Sequence, residues 1–209
     1  MSLAVRDILT RGPVIPVVTI EDASTGPDLA RALMDGGITV IEVTMRTPAA
    51  LDAVRAIRAE VPGMIAGVGT LLDPDRIPDV LAAGAQFAVS PGLDLALVDA
   101  CRTAGLPLLP GIQTVSEAMA ARRAGLDTLK FFPAKTSGGP AALQQIQPVL
   151  PDLRFCPTGG IGQADAKGYL ALPNVLCVGG SFPASSDAIR RRDWTAVRAS
   201  AAAAAELNG

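Results

Sequence analysis

The chain has 209 residues, a formal net charge of −2 and no histidine. That length suits one domain, residues 1–209, with a sizeable core. Nucleic acid and membrane are not expected as partners: the only basic run is Arg190-Arg191-Arg192, aromatics for base stacking are few, and no stretch approaches the roughly 20 apolar residues of a spanning helix.

Residues 2–10 read as a helix ahead of the first strand; they contain no long apolar signal-peptide core. Short β-branched or apolar runs then recur as "VIPVVT" (14–19), "ITVIEVT" (38–44), "MIAGVGT" (64–70) and "AQFAVS" (85–90). They continue as "LPLLPG" (106–111), "LDTLKFFP" (126–133), "LRFCPTGG" (153–160) and "NVLCVGG" (174–180). Helices are predicted between them at 26–37, 47–63, 73–85, 93–105 and 114–125, and at 193–207 after the last. The second opens with Thr47 as N-cap and Pro48 at the first position, the fifth with a Thr114–Glu117 capping box. Arg190–Arg192 is expected at the solvated start of the terminal helix. Eight strands alternating with helices, without a linker or composition break, predict an α/β fold of the (β/α)₈ TIM-barrel type, one domain with an extra N-terminal helix. An open doubly wound sheet is the alternative that the count of eight disfavours.

In such a barrel the site lies at the carboxyl ends of the strands. Those ends carry Glu42, Thr44 and Arg46, then Thr70, Ser90-Pro91, Lys130-Phe131-Phe132, Thr158-Gly159-Gly160 and Gly179-Gly180-Ser181. Side chains alternate along a strand. Leu129 and Phe131 therefore face the helices with Ile41 and Val43, while Lys130 and Glu42 face one interior. Burial favours the neutral, nucleophilic amine at Lys130, and a nearby carboxylate favours the ammonium. A structural ion pair is the bland alternative. Because histidine, the usual acid–base group, is absent, Lys130 becomes the leading nucleophile and can form a Schiff base with a ketone. Lys135 and Lys167 are expected to be solvated. Arg46 suits a carboxylate or phosphate, or is simply a surface arginine. The glycine pairs 159–160 and 179–180 end strands seven and eight, where phosphate binds in many barrels, although a Gly-Gly is more often a plain turn. The three cysteines, Cys101, Cys156 and Cys177, lack metal-site spacing, so no metal is expected, and they fit reduced thiols in a cytoplasm.

Taken in order, "VIEVTMRT" (40–47), "GVGT" (67–70), "AQFAVSPG" (85–92), "LPLLPGI" (106–112), "TLKFFPA" (128–134), "FCPTGGI" (155–161) and "GGSF" (179–182) resemble the 2-keto-3-deoxy-6-phosphogluconate (KDPG) aldolase family, which includes 4-hydroxy-2-oxoglutarate (KHG) aldolase activity. The resemblance runs from about residue 8 to the C-terminal helix. It implies a class I aldolase that needs no metal or other cofactor, acts on a small phosphosugar acid, and is usually a homotrimer. It makes Lys130 the Schiff-base lysine and Glu42 the general acid/base. Arg46 would bind the substrate carboxylate region, Thr70 and Pro91 would line the pocket, and Phe132 would pack near the imine. Thr158, Gly159, Gly160, Gly179, Gly180 and Ser181 match the phosphate end, and Thr158 favours the gluconate over the galactonate substrate. Three departures stand out: Val68 within GVGT, Lys135 where a Glu or other polar residue is usual, and Pro183 early in the eighth loop. The alternatives are a phosphosugar isomerase or epimerase barrel without a Schiff base, and a non-catalytic phosphometabolite-binding module.

Overall fold

Residues 4–207 are described by a computed structural model. In chain order it has α1 (Val5–Leu9), β1 (Val14–Val18), α2 (Gly26–Asp35), β2 (Val40–Thr44), α3 (Ala50–Glu60), β3 (Ile65–Gly69), α4 (Ile77–Ala82) and β4 (Ala88–Val89). It continues through α5 (Leu95–Ala104), β5 (Leu108–Leu109), β6 (Gly111–Ile112), α6 (Val115–Arg123), β7 (Thr128–Phe131) and α7 (Gly139–Ile146). The last elements are β8 (Arg154–Pro157), α8 (Gln163–Leu170), β9 (Val178–Gly180), α9 (Ser186–Arg190) and α10 (Trp194–Ala205). Among the described residues no helix is long and apolar enough to cross a membrane.

Six strands form one curled parallel sheet in the order β5-β4-β3-β2-β1-β9, and β6-β7-β8 form a second. Backbone contacts also run across the two seams between them. Isolated bridges join Phe155 to Val175 and Thr158 to Gly179. At the other seam β5 and β6 are one predicted strand interrupted at Pro110, which has no N–H to donate. The Pro110 carbonyl still accepts a bond from the Lys130 N–H at 2.9 Å.

Strand parity sorts the apolar residues into two cores. Ile41, Val43, Val68, Leu129, Phe131 and Phe155 belong to a large cluster with the helices. Ile15, Val40, Ile65, Val89, Leu109, Cys156 and Cys177 belong to a smaller one on the concave side, together with Ile8 and Leu9 of α1. The alternation predicted for β2 and β7 is therefore observed, and Val68 faces the helices.

Three local expectations need correction. Thr47 does not cap α3. Its hydroxyl donates to the Ile20 carbonyl across the sheet top, and the helix starts only at Ala50. The Arg190–Arg192 triplet does not open the terminal helix. It ends α9 and the following turn, where Arg190 and Arg191 both pair with Asp187, and α10 begins at Trp194. Cations at a helix C-terminus meet the negative end of its dipole. Helix α7 stands where the sequence reading places none, with Gly138 and Gly139 at positive φ just before Pro140 sets its first turn. Thr114 and Glu117 form the predicted capping box, and Gly105, at the end of the predicted 93–105 helix, closes α5 in the left-handed conformation. The predicted 73–85 helix is shortened by Pro78, so a 3-10 turn precedes α4.

Gly36 lets α2 meet α10 at close range: a Cβ there would lie 2.8 Å from the Arg198 carbonyl oxygen and 2.9 Å from the Ala202 nitrogen. Backbone on both sides cannot give way cheaply. Gly36→Ala should destabilise the protein by about 1–3 kcal/mol, measured as a lower urea midpoint at unchanged m-value.

Candidate active site

The carboxyl ends of β2, β7, β8 and β9 open onto one cavity of about 460 Å³. Lys130 comes from β7 and Glu42 from β2. Their apolar strand neighbours pack outward, which leaves both polar side chains on the concave face. The Lys130 Nζ lies 3.7 Å from Glu42 Oε1, and the two side chains are only 6% and 5% exposed. Among the described residues Glu42 Oε1 has no hydrogen-bond partner. It fits because the neighbouring strand offers Gly69, where any Cβ would overlap that oxygen. The ammonium also lies 5.0 Å from the Phe132 ring centroid, a distance at which the ring face attracts a cation. The Phe132–Pro133 peptide is cis.

At the ends of β8 and β9, between β7 and β1 in strand order, the wall is almost all backbone. Gly159 and Gly160 have φ of 104° and 73°, a conformation glycine adopts without strain. At Gly179 a Cβ would collide with the Thr158 hydroxyl. Thr158 is bridged to Gly179 and is buried, so these two strand ends form one continuous small-residue wall with Gly180 and Ser181. Arg46 lines the cavity from the exposed turn after β2, and among the described residues it pairs with no carboxylate.

Ten of the twelve residues singled out from the sequence thus meet around one space: Glu42, Arg46, Lys130, Phe132, Thr158, Gly159, Gly160, Gly179, Gly180 and Ser181. Thr70 and Pro91 do not line it. Thr70 follows β3 with φ of 62°, a strained conformation for a β-branched residue. Pro91 follows β4, and its carbonyl is packed where a Cβ on Gly111 would be. The cavity also takes in Thr44, which the strand-end reading names, and Thr19 and Ser186, which it does not. The Thr44 hydroxyl donates to the Val18 carbonyl at 3.0 Å and sits 2.9 Å from Thr19 Oγ1. Thr19 ends the first predicted strand on the parity of Val17, so the strand-end reading could have found it. Ser186 has no such signal, because it lies beyond the eighth loop. Ser90 spends its hydroxyl on the Gly92 carbonyl at 2.8 Å. Lys167 is exposed on α8, and Lys135 is exposed and paired with Asp165 at 3.2 Å.

Beside the lysine, Cys156 on β8 pairs in register with Lys130, and its sulfur lies 3.8 Å from Thr158 Oγ1. The Cys177 thiol is pushed well above its usual range by its contact with Cys156, and further by burial. Burial alone pushes Cys101 up to about 11.

A parallel α/β framework with a buried amine–carboxylate pair at its strand ends and a glycine wall in the same cavity defines an enzyme site of the strand-end class. Residues 5–200 match the family model described as KDPG and KHG aldolase, and the chain belongs to that family. It is 49% identical over 189 residues to the KHG/KDPG aldolase of Escherichia coli (strain K12), covering 90% of this chain and 89% of that one. It is 42% identical to the 2-dehydro-3-deoxy-phosphogluconate aldolase of Pseudomonas aeruginosa, covering 88% and 84%. Among solved structures, the KDPG aldolase of Legionella pneumophila with pyruvate captured as a covalent carbinolamine superposes with a TM-score of 0.93 at 41% identity, covering 96% and 98%.

All three cysteines are free and buried. A thiol-specific chromogenic reagent at pH 8 should therefore find almost no reactive thiol in the native protein and all three after unfolding. Rapid native reaction at any one would contradict the burial.

Proposed function

We propose that the chain is a class I aldolase that reversibly cleaves 2-dehydro-3-deoxy-6-phosphogluconate to pyruvate and glyceraldehyde 3-phosphate, with 4-hydroxy-2-oxoglutarate as a further substrate. The observation that carries it is the buried Lys130–Glu42 pair at 3.7 Å in a cavity large enough for a phosphosugar acid. Family membership and the carbinolamine of the Legionella relative support the same chemistry.

In this reading neutral Lys130 adds to the 2-oxo carbon to give a carbinolamine. Glu42 returns a proton to the departing hydroxyl, water leaves, and an iminium forms. Glu42 then accepts the proton of the C4 hydroxyl. The C3–C4 bond breaks, its electron pair enters the iminium to give an enamine, and the aldehyde departs. The enamine takes a proton at C3 from Glu42, and hydrolysis of the resulting iminium releases pyruvate and frees Lys130. Glu42 serves every step because its proton is returned each cycle. Its unpartnered oxygen is available to the substrate or a water. The Phe132 face, 5.0 Å from the amine, keeps bulk water from it. Arg46, the unpaired cation of the cavity, takes the substrate carboxylate. Thr158 and the small residues 159–160 and 179–181 receive the phosphate through backbone N–H groups, which glycine allows an anion to approach.

The proposal extends to the architecture. The bridges between β8 and β9 and the Lys130–Pro110 hydrogen bond support one closed eight-stranded barrel in a single domain, with α1 as its floor through Ile8 and Leu9. Free buried cysteines support a reducing cytoplasm. The family resemblance supports a homotrimer, and exposed Val115, Met119 and Val149 offer apolar surface that an assembly would cover.

Borohydride reduction in the presence of pyruvate should leave a covalent adduct on Lys130, located by peptide mass mapping, and none in Lys130→Ala. Glu42→Gln should lower kcat by about 10²–10⁴-fold while the protein still folds. An intact wild-type enzyme that forms no adduct would exclude Schiff-base chemistry.

A further inference from the structure

We infer that Lys135 is a specificity-determining cation for the phosphorylated end of the substrate, stored on Asp165 when no anion is bound; this rests on the aldolase reading above. The glycine wall, Gly159–Ile161 and Gly179–Ser181, contributes no cationic side chain to the cavity: among the lining residues the cations are Lys130 and Arg46. A phosphate there would meet neutral N–H groups in a protein of net charge −2. Lys135 stands directly behind that wall. Its backbone N–H donates to the Gly159 carbonyl at 3.1 Å, while the Ala134 N–H donates to the Thr158 carbonyl at 2.8 Å, so the segment after β7 is tied to the glycine loop. Its aliphatic stem lies against Gly160: a Cβ on that glycine would sit 3.0 Å from Lys135 Cβ and 3.3 Å from Cδ.

The ammonium itself turns outward to Asp165 Oδ2 at 3.2 Å, with side chains 61% and 47% exposed. A pair so exposed contributes little to folding. Its placement is better explained by what the lysine can reach. The stem is anchored on the loop that forms the wall, and its flexible carbons can carry the ammonium from Asp165 over Gly160 toward an incoming dianion. Asp165 competes with that anion for the same charge.

The two partners therefore predict opposite effects. Lys135→Ala should raise KM for the 6-phosphorylated substrate by roughly threefold to fivefold, the range of a partly screened charge contact. It should leave kcat and the kinetics with the unphosphorylated sugar acid unchanged. Lys135→Arg should retain the wild-type KM, and Asp165→Asn should lower it, with the gap between wild type and Lys135→Ala closing as salt rises. A purely structural contact would move both substrates together and shift Lys135→Ala and Asp165→Asn in the same direction; either result, or an unchanged KM in Lys135→Ala, would overturn the inference. Pyruvate trapping on Lys130 in each variant reports the aldolase reading separately. Should wild type not turn over the phosphorylated substrate, orthophosphate titration followed by ³¹P NMR still reads the cation, with weaker binding expected in Lys135→Ala and equal binding counting against it.

Discussion

A lysine and a glutamate share a buried space on the concave face of the sheet, and most of the molecule is arranged to hold them there. Taking two charges out of water costs several kcal/mol per ion, and their attraction offsets that only when the geometry is maintained. Maintenance comes from β2 and β7, whose outward residues Ile41, Val43, Leu129 and Phe131 are locked into the helix-facing core. With those neighbours fixed, neither Glu42 nor Lys130 can turn away without a whole strand reversing its faces. Gly69 supplies the space beside the carboxylate, and the Phe132 ring closes the space beside the amine. Glu42 Oε1 faces the Lys130 amine across 3.7 Å, which leaves that oxygen free to accept a proton from a bound substrate in the proposed chemistry.

The cavity wall divides its labour: β7 and β2 bring the buried charges, and the ends of β8 and β9, which lie between them in strand order, bring glycines, Thr158 and Ser181. Charged groups move protons and bond to carbon, whereas backbone N–H groups offer hydrogen bonds without demanding a partner when the site is empty. A buried cation on the glycine side would itself require a counterion. Placing Lys135 outside, against Gly160 and within reach of Asp165, avoids that cost while keeping positive charge close.

Much of this was legible in the chain because strand parity is a period-two code. Two outward apolar residues around Lys130 and two around Glu42 were enough to put both on the same face. The glycine pairs and the capping box were equally local. What escaped were features with distant causes. Thr47 resembles an N-cap until its hydroxyl is seen to serve the Ile20 carbonyl. Pro110 lies within a run that reads as a continuous strand, yet it splits that strand, and its free carbonyl takes the Lys130 N–H. Ser186 reaches the cavity from beyond the eighth loop, and no spacing along the chain points to it.

The sequence by itself determined the alternation of strands and helices, the face on which each candidate side chain lies and, through the absence of histidine, the residue types available for acid–base and nucleophilic work. Family membership was readable there too, since its motifs are runs of adjacent residues. Tertiary structure alone decided the distances: that Glu42 and Lys130 approach to 3.7 Å, that Thr19 joins the cavity while Thr70 and Pro91 stay outside it, and that Lys135 lies along Gly160. Side-chain direction is set by the backbone of a single strand, whereas a separation between two strands depends on curl, register and every residue packed between them.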